Sequence, residues 1–322
     1  MDDLIPLLSD GEFHTGDELG KVLGVSRAAV WKQVQKLESK GLQVQSVKGK
    51  GYRLAYPLEL LDPSSIRSHC ASSALQLLTG LDVLTQTSST NDVAMARVAS
   101  GCSSGFVCLA EQQTAGRGRR GRVWVSPFAS NLYFSCVWEF YHGAAALEGL
   151  SLAVGVAVAR SLRSLGVDAV ALKWPNDVLV ADAKIAGILL EMTGDPAGRC
   201  QVVVGVGVNH VMPGAAAASI DQRWTRLEEH RQGISRNLLA ATVISDVLLA
   251  LETFQLSGFG SFREEWTKLD AYRGKPVVVR TGVNEILGVA DGVDETGGLR
   301  LVDPEGAIQV MKGGEVSLRL QS

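Results

Sequence analysis

The spacing of apolar residues changes character twice along these 322 residues, and that change constrains the fold more than any single motif. Residues 1 to about 60 read as short helices closing on a hairpin. From about 60 to 270, helical patterns such as Asn91 to Ala99 and Leu147 to Leu165 interleave with strand-like runs at Phe106 to Glu111, Leu132 to Trp138, Ala169 to Lys173, Ile185 to Glu191 and Val202 to Val208. From Arg273 onward, β-branched runs are punctuated by Gly282, Gly288, Gly292, Gly297-Gly298, Gly306 and Gly313-Gly314, a turn frequency that indicates a small β-barrel. A chain of this length, 46% hydrophobic and 20% charged, has material for about two ordinary domains and an appendage. We therefore expect three units, at 1–60, 61–272 and 273–322.

Several function classes are disfavoured. A net charge of -3 gives no overall basic field, so any nucleic-acid contact must come from a local patch. No apolar run approaches the eighteen or so residues of a membrane span, and Met1-Asp2-Asp3 is acidic where a signal peptide would be basic. A cytoplasmic protein with no membrane partner is expected. Cys70, Cys102, Cys108, Cys136 and Cys200 are scattered, with no Cys/His grouping that binds zinc, so reduced thiols and no metal site are expected.

The first unit has the punctuation of a helix-turn-helix. Leu4, Ile5, Leu7 and Leu8 suit a first helix, and Thr15 or Gly16 starts a second that Gly24 ends. Ser26 is a natural N-cap for a third helix from Arg27 to Ser39, with a buried stripe of Ala28 or Ala29, Val30, Val34 and Leu37. Leu42 to Leu54 then alternates around Lys48-Gly49-Lys50-Gly51, as a two-stranded wing with a basic tip. Residues 1–25 carry six acids against Lys21. Residues 26–53 carry Arg27, Lys32, Lys36, Lys40, Lys48, Lys50 and Arg53 against Glu38. The bases lie where a winged helix meets a groove and its phosphates; base readout would fall to Ser26, Arg27, Trp31, Lys32 and Gln35. The competing reading is a small module for protein contacts.

The central chemistry begins with Gly116-Arg117-Gly118-Arg119-Arg120-Gly121-Arg122, four guanidinium groups and three glycines in seven residues. Glycine admits backbone N–H groups to an anion and each arginine offers a planar fork; a solvated or nucleic-acid-binding patch is the alternative. Ser88-Ser89-Thr90-Asn91 serves equally as a helix cap or as a hydrogen-bonding wall for a polar ligand. In Lys173-Trp174-Pro175-Asn176-Asp177, Pro175 fixes a turn at a strand end and gathers Lys173, Asn176 and Asp177. Lys184 leads into a strand whose Gly187 permits close approach. Val204-Gly205-Val206-Gly207-Val208-Asn209 lacks the third glycine of a dinucleotide fingerprint and runs on as strand.

In this order, Ser89-Thr90-Asn91, the Gly/Arg run through Trp124 and Pro127, Lys173 to Asp177, Ala186-Gly187-Ile188-Leu189, Gly205 to Asn209 and Gly313-Gly314-Glu315 resemble the biotin protein ligases over essentially the whole chain. Gly11-Glu12-Phe13-His14, Ser26-Arg27-Ala28-Ala29 and Gly49-Lys50-Gly51-Tyr52 resemble the family's bifunctional ligase and repressor form. The resemblance implies an α+β multi-domain protein: an N-terminal winged helix-turn-helix, a central α/β class II synthetase-like catalytic domain and a C-terminal SH3-like small β-barrel. It implies joining of biotin to ATP, transfer of biotin to a lysine of the biotin carboxyl carrier protein of acetyl-CoA carboxylase, and biotin-responsive repression at operator DNA by a homodimer formed on the adenylate. Mg2+ is expected with ATP, and no prosthetic group. Two anions must meet in the first step, so arginines and a lysine act by positioning and electrostatics.

Arg119 and Lys173 are the expected catalytic pair. Arg117, Gly118 and Arg119 are expected on biotin and the adenylate phosphate, with Lys173 bridging biotin carboxylate and α-phosphate. Ser89, Thr90 and Gln113 are expected on the ureido ring, with Asn91 and Gly187 at the same site. Asn209 is expected on adenine, with Arg122, Trp124, Asn176 and Trp224 on the ATP side; Trp124 and Trp224 otherwise serve as core. Lys48 and Lys50 join the DNA-facing set. The alternatives are a DNA-binding sensor without ligase activity and a ligase for another carboxylic acid such as lipoate.

Overall fold

The computed structural model of the protein describes residues 4–39, 41–195, 197–281, 284–312 and 316–321. Met1 to Asp3, Lys40, Gly282 and Gly313-Gly314-Glu315 lie outside the described residues.

The N-terminal unit is built as its punctuation dictates. Helix α1 (Leu4–Leu8) is followed by α2 (Gly16–Leu23), whose first turn is closed by a capping box between Thr15 and Glu18. Gly24, at φ +65°, ends α2 in the left-handed region. Ser26 Oγ accepts from Ala29 N–H (3.3 Å) at the start of α3 (Arg27–Ser39). The buried stripe of α3 is Val30, Val34 and Leu37; Ala28 is exposed and Ala29 half-buried, so the stripe starts at Val30 and not at either alanine. Strands β1 (Val44–Val47) and β2 (Gly51–Leu54) form the antiparallel wing, and His14 exchanges two backbone hydrogen bonds with Tyr52 at 2.9 and 2.8 Å. Phe128 and Ala129, far along the chain, pack into the same small core.

Next come α4 (Pro63–His69), capped by Asp62, α5 (Ser72–Leu77), β3 (Gly80–Leu84), α6 (Thr90–Ala99), β4 (Phe106–Ala110) and β5 (Leu132–Phe140). They are followed by α7 (Leu150–Ser164), β6 (Val170–Lys173), β7 (Asp177–Val180), β8 (Ala183–Gly194) and β9 (Cys200–Val208). Two short helices, α8 (Gly214–Ala217) and α9 (Leu227–His230), precede α10 (Arg236–Ser257) and α11 (Gly260–Leu269). The seven strands form one sheet in the order β3-β4-β5-β9-β8-β7-β6, antiparallel except for β3 with β4.

Alternation divides that sheet into two unlike faces. Leu132, Phe134, Cys136 and Trp138 of β5, with Val202, Val204, Val206 and Val208 of β9, join the main core beneath α7 and α10. The opposite face carries a smaller cluster under α6 and, beside it, Ser135, Gly187, Gly205 and Gly207. Helix α10 is long and apolar enough to cross a membrane, although no span of that length stands out in the sequence; 67% of its apolar stretch is buried, as in a core helix.

Strands β10 (Pro276–Thr281), β11 (Asn284–Val293), β12 (Leu299–Val302), β13 (Ile308–Met311) and β14 (Val316–Leu320) form an antiparallel sheet in the order β13-β12-β11-β10-β14. It docks on the central unit through Val277, Val279, Leu301 and Leu318, and Trp174 Nε1 donates to Gly297 O (3.1 Å). The segment before α4 is tied down by a buried pair. Glu111 accepts from Arg236 Nη1 (2.9 Å) and Leu61 N–H (2.6 Å), while Arg236 also donates to the carbonyls of Glu59 and Asn131. With Arg236 2% and Glu111 4% exposed, Arg236→Ala strands a buried carboxylate, and a loss of about 3–5 kcal/mol is expected in urea unfolding.

Candidate functional site

The glycine-bearing face of the central sheet is the floor of a cavity of about 720 Å³. Two rows of cross-strand partners build that floor. One runs Lys173–Asp177–Gly187–Gly207–Tyr133 across β6, β7, β8, β9 and β5; the other runs Leu189–Gly205–Ser135–Cys108. Directly opposed residues share a face, so the first row puts a lysine and an aspartate at one end and bare backbone in the middle. The space left by the missing side chains is used closely. A Cβ on Gly207 would lie 2.5 Å from the Trp124 ring, and one on Gly205 would collide with the Asn91 amide. The Gly-x-Gly of β9 is thus a seat for side chains, not a nucleotide loop.

One end of the cavity is neutral and polar. Ser89 caps α6 by accepting from Asn91 N–H (3.3 Å), so its hydroxyl is cap and cavity wall at once. Gln113 Oε1 accepts from Thr90 N–H (2.9 Å) and Oγ1 (3.2 Å), and its amide donates to Ser126 Oγ (3.1 Å). Ser135 Oγ, fully buried, lies 2.7 Å from Thr90 Oγ1 and 2.6 Å from Asn91 Oδ1. These bonds preset the orientation of each amide and hydroxyl before a ligand arrives.

The other end is cationic. Arg119, Arg120, Arg122, Lys173, Lys184 and Arg319 line it against Asp177 and Asp221, an excess that suits a polyanion; Arg117, expected on biotin and the phosphate, instead pairs with Asp92 and Glu191 beside Asn91. Asp177 lies 2.5 Å from Lys184 Nζ and 3.8 Å from Lys173 Nζ. Burial pulls the Lys173 ammonium below the usual lysine range, opposed by Asp177 and reinforced by Lys184, Arg319 and Arg122. Burial likewise lowers Arg119, whose guanidinium donates to Asn176 Oδ1 (3.2 Å); Asn176 in turn donates to Ile188 O (2.7 Å). A desolvated cation with more positive than negative neighbours favours binding a negative ligand.

Residues 116–124 form a narrow flap over this cavity. Trp124 N–H donates to Gly116 O (2.9 Å), Gly118 N–H to Arg122 O (2.7 Å), and Arg120 and Gly121 turn the tip at φ +60° and +68°. Trp124 closes the middle of the floor, with Lys184 Nζ 5.4 Å from its ring and its buried Nε1 without a hydrogen-bond partner among the described residues. Asn209 is buried at the end of β9 and donates to Thr225 O (3.0 Å), which fixes its amide. Trp224 pairs beside Lys184 and completes the wall with Ser219 to Gln222.

All of Ser89, Thr90, Asn91, Gln113, Arg117, Gly118, Arg119, Arg122, Trp124, Lys173, Asn176, Gly187, Asn209 and Trp224 line this one cavity. Sequence reasoning noted Lys184 as the residue leading into the Gly187 strand but gave it no part in the site, and it left out Arg319. Lys184 faces Leu179 across the β7–β8 hairpin, two residues from Asp177 on the same face, a relation readable only once the register is known. Arg319 comes from β14 in the last unit, and nothing local in the sequence announces its return. The N-terminal candidates form a second surface. Ser26, Arg27, Trp31, Lys32, Gln35, Lys48 and Lys50 are all exposed, and Lys50 and Arg53 lie over the Phe13 ring at 5.8 and 4.6 Å.

Comparison with known proteins matches the Biotin/lipoate A/B protein ligase family at residues 83–209, an HTH domain at 2–53 and the Biotin protein ligase C terminal domain at 273–319. The chain is 44% identical to the bifunctional ligase/repressor BirA of Salmonella typhimurium over 98% of its own length and 96% of the relative's. It belongs to the biotin protein ligase family. Within that family it is also 42% identical to the bifunctional ligase/repressor BirA of Escherichia coli, with the same coverage. A solved biotin protein ligase from Aquifex aeolicus, in complex with biotin and ATP, superposes with a TM-score of 0.64 at 29% identity, covering 76% of this chain and all of that one. The matches place the helix-turn-helix, the central ligase fold and the C-terminal β-domain in the order expected.

A Gly207→Ala chain should test the floor directly. The added methyl displaces the Trp124 ring, so tryptophan emission should shift while far-UV circular dichroism stays unchanged, with about 1–3 kcal/mol of stability lost to overpacking.

Proposed function

We propose that this chain is an ATP-dependent biotin protein ligase that also acts as a biotin-responsive repressor. The supporting observation is the polarity of a single cavity, neutral hydrogen-bonding groups at one end and clustered cations at the other, in a chain that aligns end to end with bifunctional relatives. The ureido ring of biotin fits the neutral end, where Ser89, Thr90, Asn91 and Gln113 are already oriented. A site built for hydrogen bonds disfavours acids that leave its buried polar groups unpaired, which sets biotin apart from lipoate. The valeryl chain runs past the Trp124 ring, which is itself seated on Gly187 and Gly207, and delivers its carboxylate to Lys173 and Lys184.

There the carboxylate attacks the α-phosphate of ATP, forming biotinyl-5′-adenylate and releasing pyrophosphate. Lys173, Lys184 and Arg119 hold the two anions together and take up charge as it develops, while Asp177 keeps Lys184 in place. Gly118 lets the flap backbone approach the ligand. Arg122 and Arg319 lie at the cationic end for the leaving phosphates, and Asn176 supports Arg119. Asn209 and Trp224 take the adenine. Mg2+ would enter with ATP as the counter-ion of its phosphates.

Biotin then passes to a lysine of the biotin carboxyl carrier protein, a neutral amine attacking the mixed anhydride and expelling AMP. For repression, units 1–60, 61–272 and 273–322 act together in the cytoplasm. Adenylate-bound chains pair, and two winged helices present Ser26, Arg27, Trp31, Lys32 and Gln35 to operator DNA, with Lys48 and Lys50 on flanking phosphates. The adenylate drives this by its differential affinity for the paired state.

Biotin-dependent exchange of labelled pyrophosphate into ATP tests the ligase reading: exchange is expected, and a pure sensor gives none. Arg119→Ala should weaken retention of biotinyl-adenylate by about 1.5–3 kcal/mol, read as faster release of the labelled intermediate; an unchanged release rate counts against this role of Arg119.

A further inference from the structure

Of the four arginines in the flap, Arg117 is turned away from the phosphate end. Its Nη2 donates to Asp92 Oδ1 (2.7 Å) and lies 3.4 Å from both Glu191 oxygens. The two carboxylates come from separate elements, Asp92 from the first turn of α6 and Glu191 from β8. Each is oriented by a second partner: Ser88 Oγ donates to Asp92 Oδ2 (2.9 Å), and Asn91 Nδ2 donates to Glu191 Oε2 (2.5 Å). Arg117 also pairs through its backbone with Val123 at the base of the flap. The guanidinium therefore ties the base of the flap to α6, whose start forms part of the neutral end of the cavity, and to β8.

We propose that Asp92, together with Glu191, is a positioning residue: the pair captures Arg117, holds the base of the flap closed over the ligand, and keeps this guanidinium off the reacting anions. Charge is what makes the arrangement selective. A guanidinium released from both carboxylates would be a further mobile cation able to compete for the ligand's carboxylate and phosphate, whereas a bracketed one adds closure without adding a rival contact. Asn91 links the two functions, because the amide held by Glu191 is the one seated over Gly205. The latch is partly open to solvent, with Arg117, Asp92 and Glu191 side chains 38%, 43% and 33% exposed, so ionic strength should modulate it.

The inference rests on the ligase reading, and its test separates the two. In the full-length protein, Asp92→Ala should release biotinyl-5′-adenylate about fivefold faster and raise KM for biotin by a similar factor. At saturating biotin, kcat for pyrophosphate exchange should remain at the wild-type value. Asp92→Glu should restore slow release. Added salt should accelerate release from the wild type but not from Asp92→Ala. A group acting in the chemistry would instead lower kcat with KM unchanged, and that result overturns the proposal. Limited trypsin digestion of the ligand-free proteins supplies a readout independent of catalysis, since Arg117, Arg119, Arg120 and Arg122 are all cleavage sites. Faster cleavage of Asp92→Ala within residues 117–122 supports the latch; equal cleavage and equal release overturn it. If the wild type catalyses no biotin-dependent exchange, the ligase reading fails, and the digestion alone decides the latch.

Discussion

The central sheet has one face filled with Val, Leu and Phe side chains and another that is bare where β8 and β9 meet, because Gly187, Gly205 and Gly207 stand at adjoining positions. Backbone without side chains leaves room that the neighbouring parts must fill or a ligand must occupy. Asn91 and Trp124 fill part of it, each against a glycine. The remainder is the cavity. Replacing the glycines by the valines found elsewhere on β9 would give an ordinary two-sided sheet and abolish the site without changing the fold class.

On this bare floor the two ends differ through register. The row that crosses Gly187 and Gly207 terminates in Asp177 and Lys173 on the short strands β7 and β6. The adjoining row passes through Ser135, beneath Thr90 and Asn91. Cations therefore collect at one side of the sheet and neutral donors and acceptors at the other, some residues apart along the same floor. A ligand with a neutral head and an anionic tail is oriented by this gradient before any contact is refined, and this orientation brings its carboxylate to the buried lysines.

The segment that roofs the cavity also reaches the N-terminal unit. Beyond Trp124 and Ser126, Phe128 and Ala129 enter the core formed by Leu4, Ile5, Leu8, Val30, Val34 and Leu37. Ala129 N–H donates to Glu111 O (3.0 Å), and the Glu111 carboxylate is held by Arg236 and by Leu61 N–H. The winged helix therefore packs on the very segment that leads from the ligand flap, and the polypeptide joining the two units is held by a buried charge pair.

Much of this was legible in the chain itself. The third helix from Arg27 to Ser39, the wing around Lys48-Gly49-Lys50 and the strands ending at Lys173 and Val208 follow from local spacing, caps and glycines, which act over a few residues and need no partner. The cavity residues were legible as motifs for the same reason: each is a short run, and six runs in order identify a family. Helix α10 was not, since it is buried on nearly every side and lacks the polar face that gives helices a readable period. The roles of Lys184, Arg319 and the carboxylates on Arg117 were also out of reach, because they come from cross-strand register and from contacts between segments far apart in the chain, 74 residues for Arg117 and Glu191. Interactions local in the chain set the capped and glycine-punctuated elements and the short motifs that line the cavity. Only the tertiary structure decided which charges meet, because a salt bridge or a vacant sheet face depends on distances that packing, and not chain order, sets.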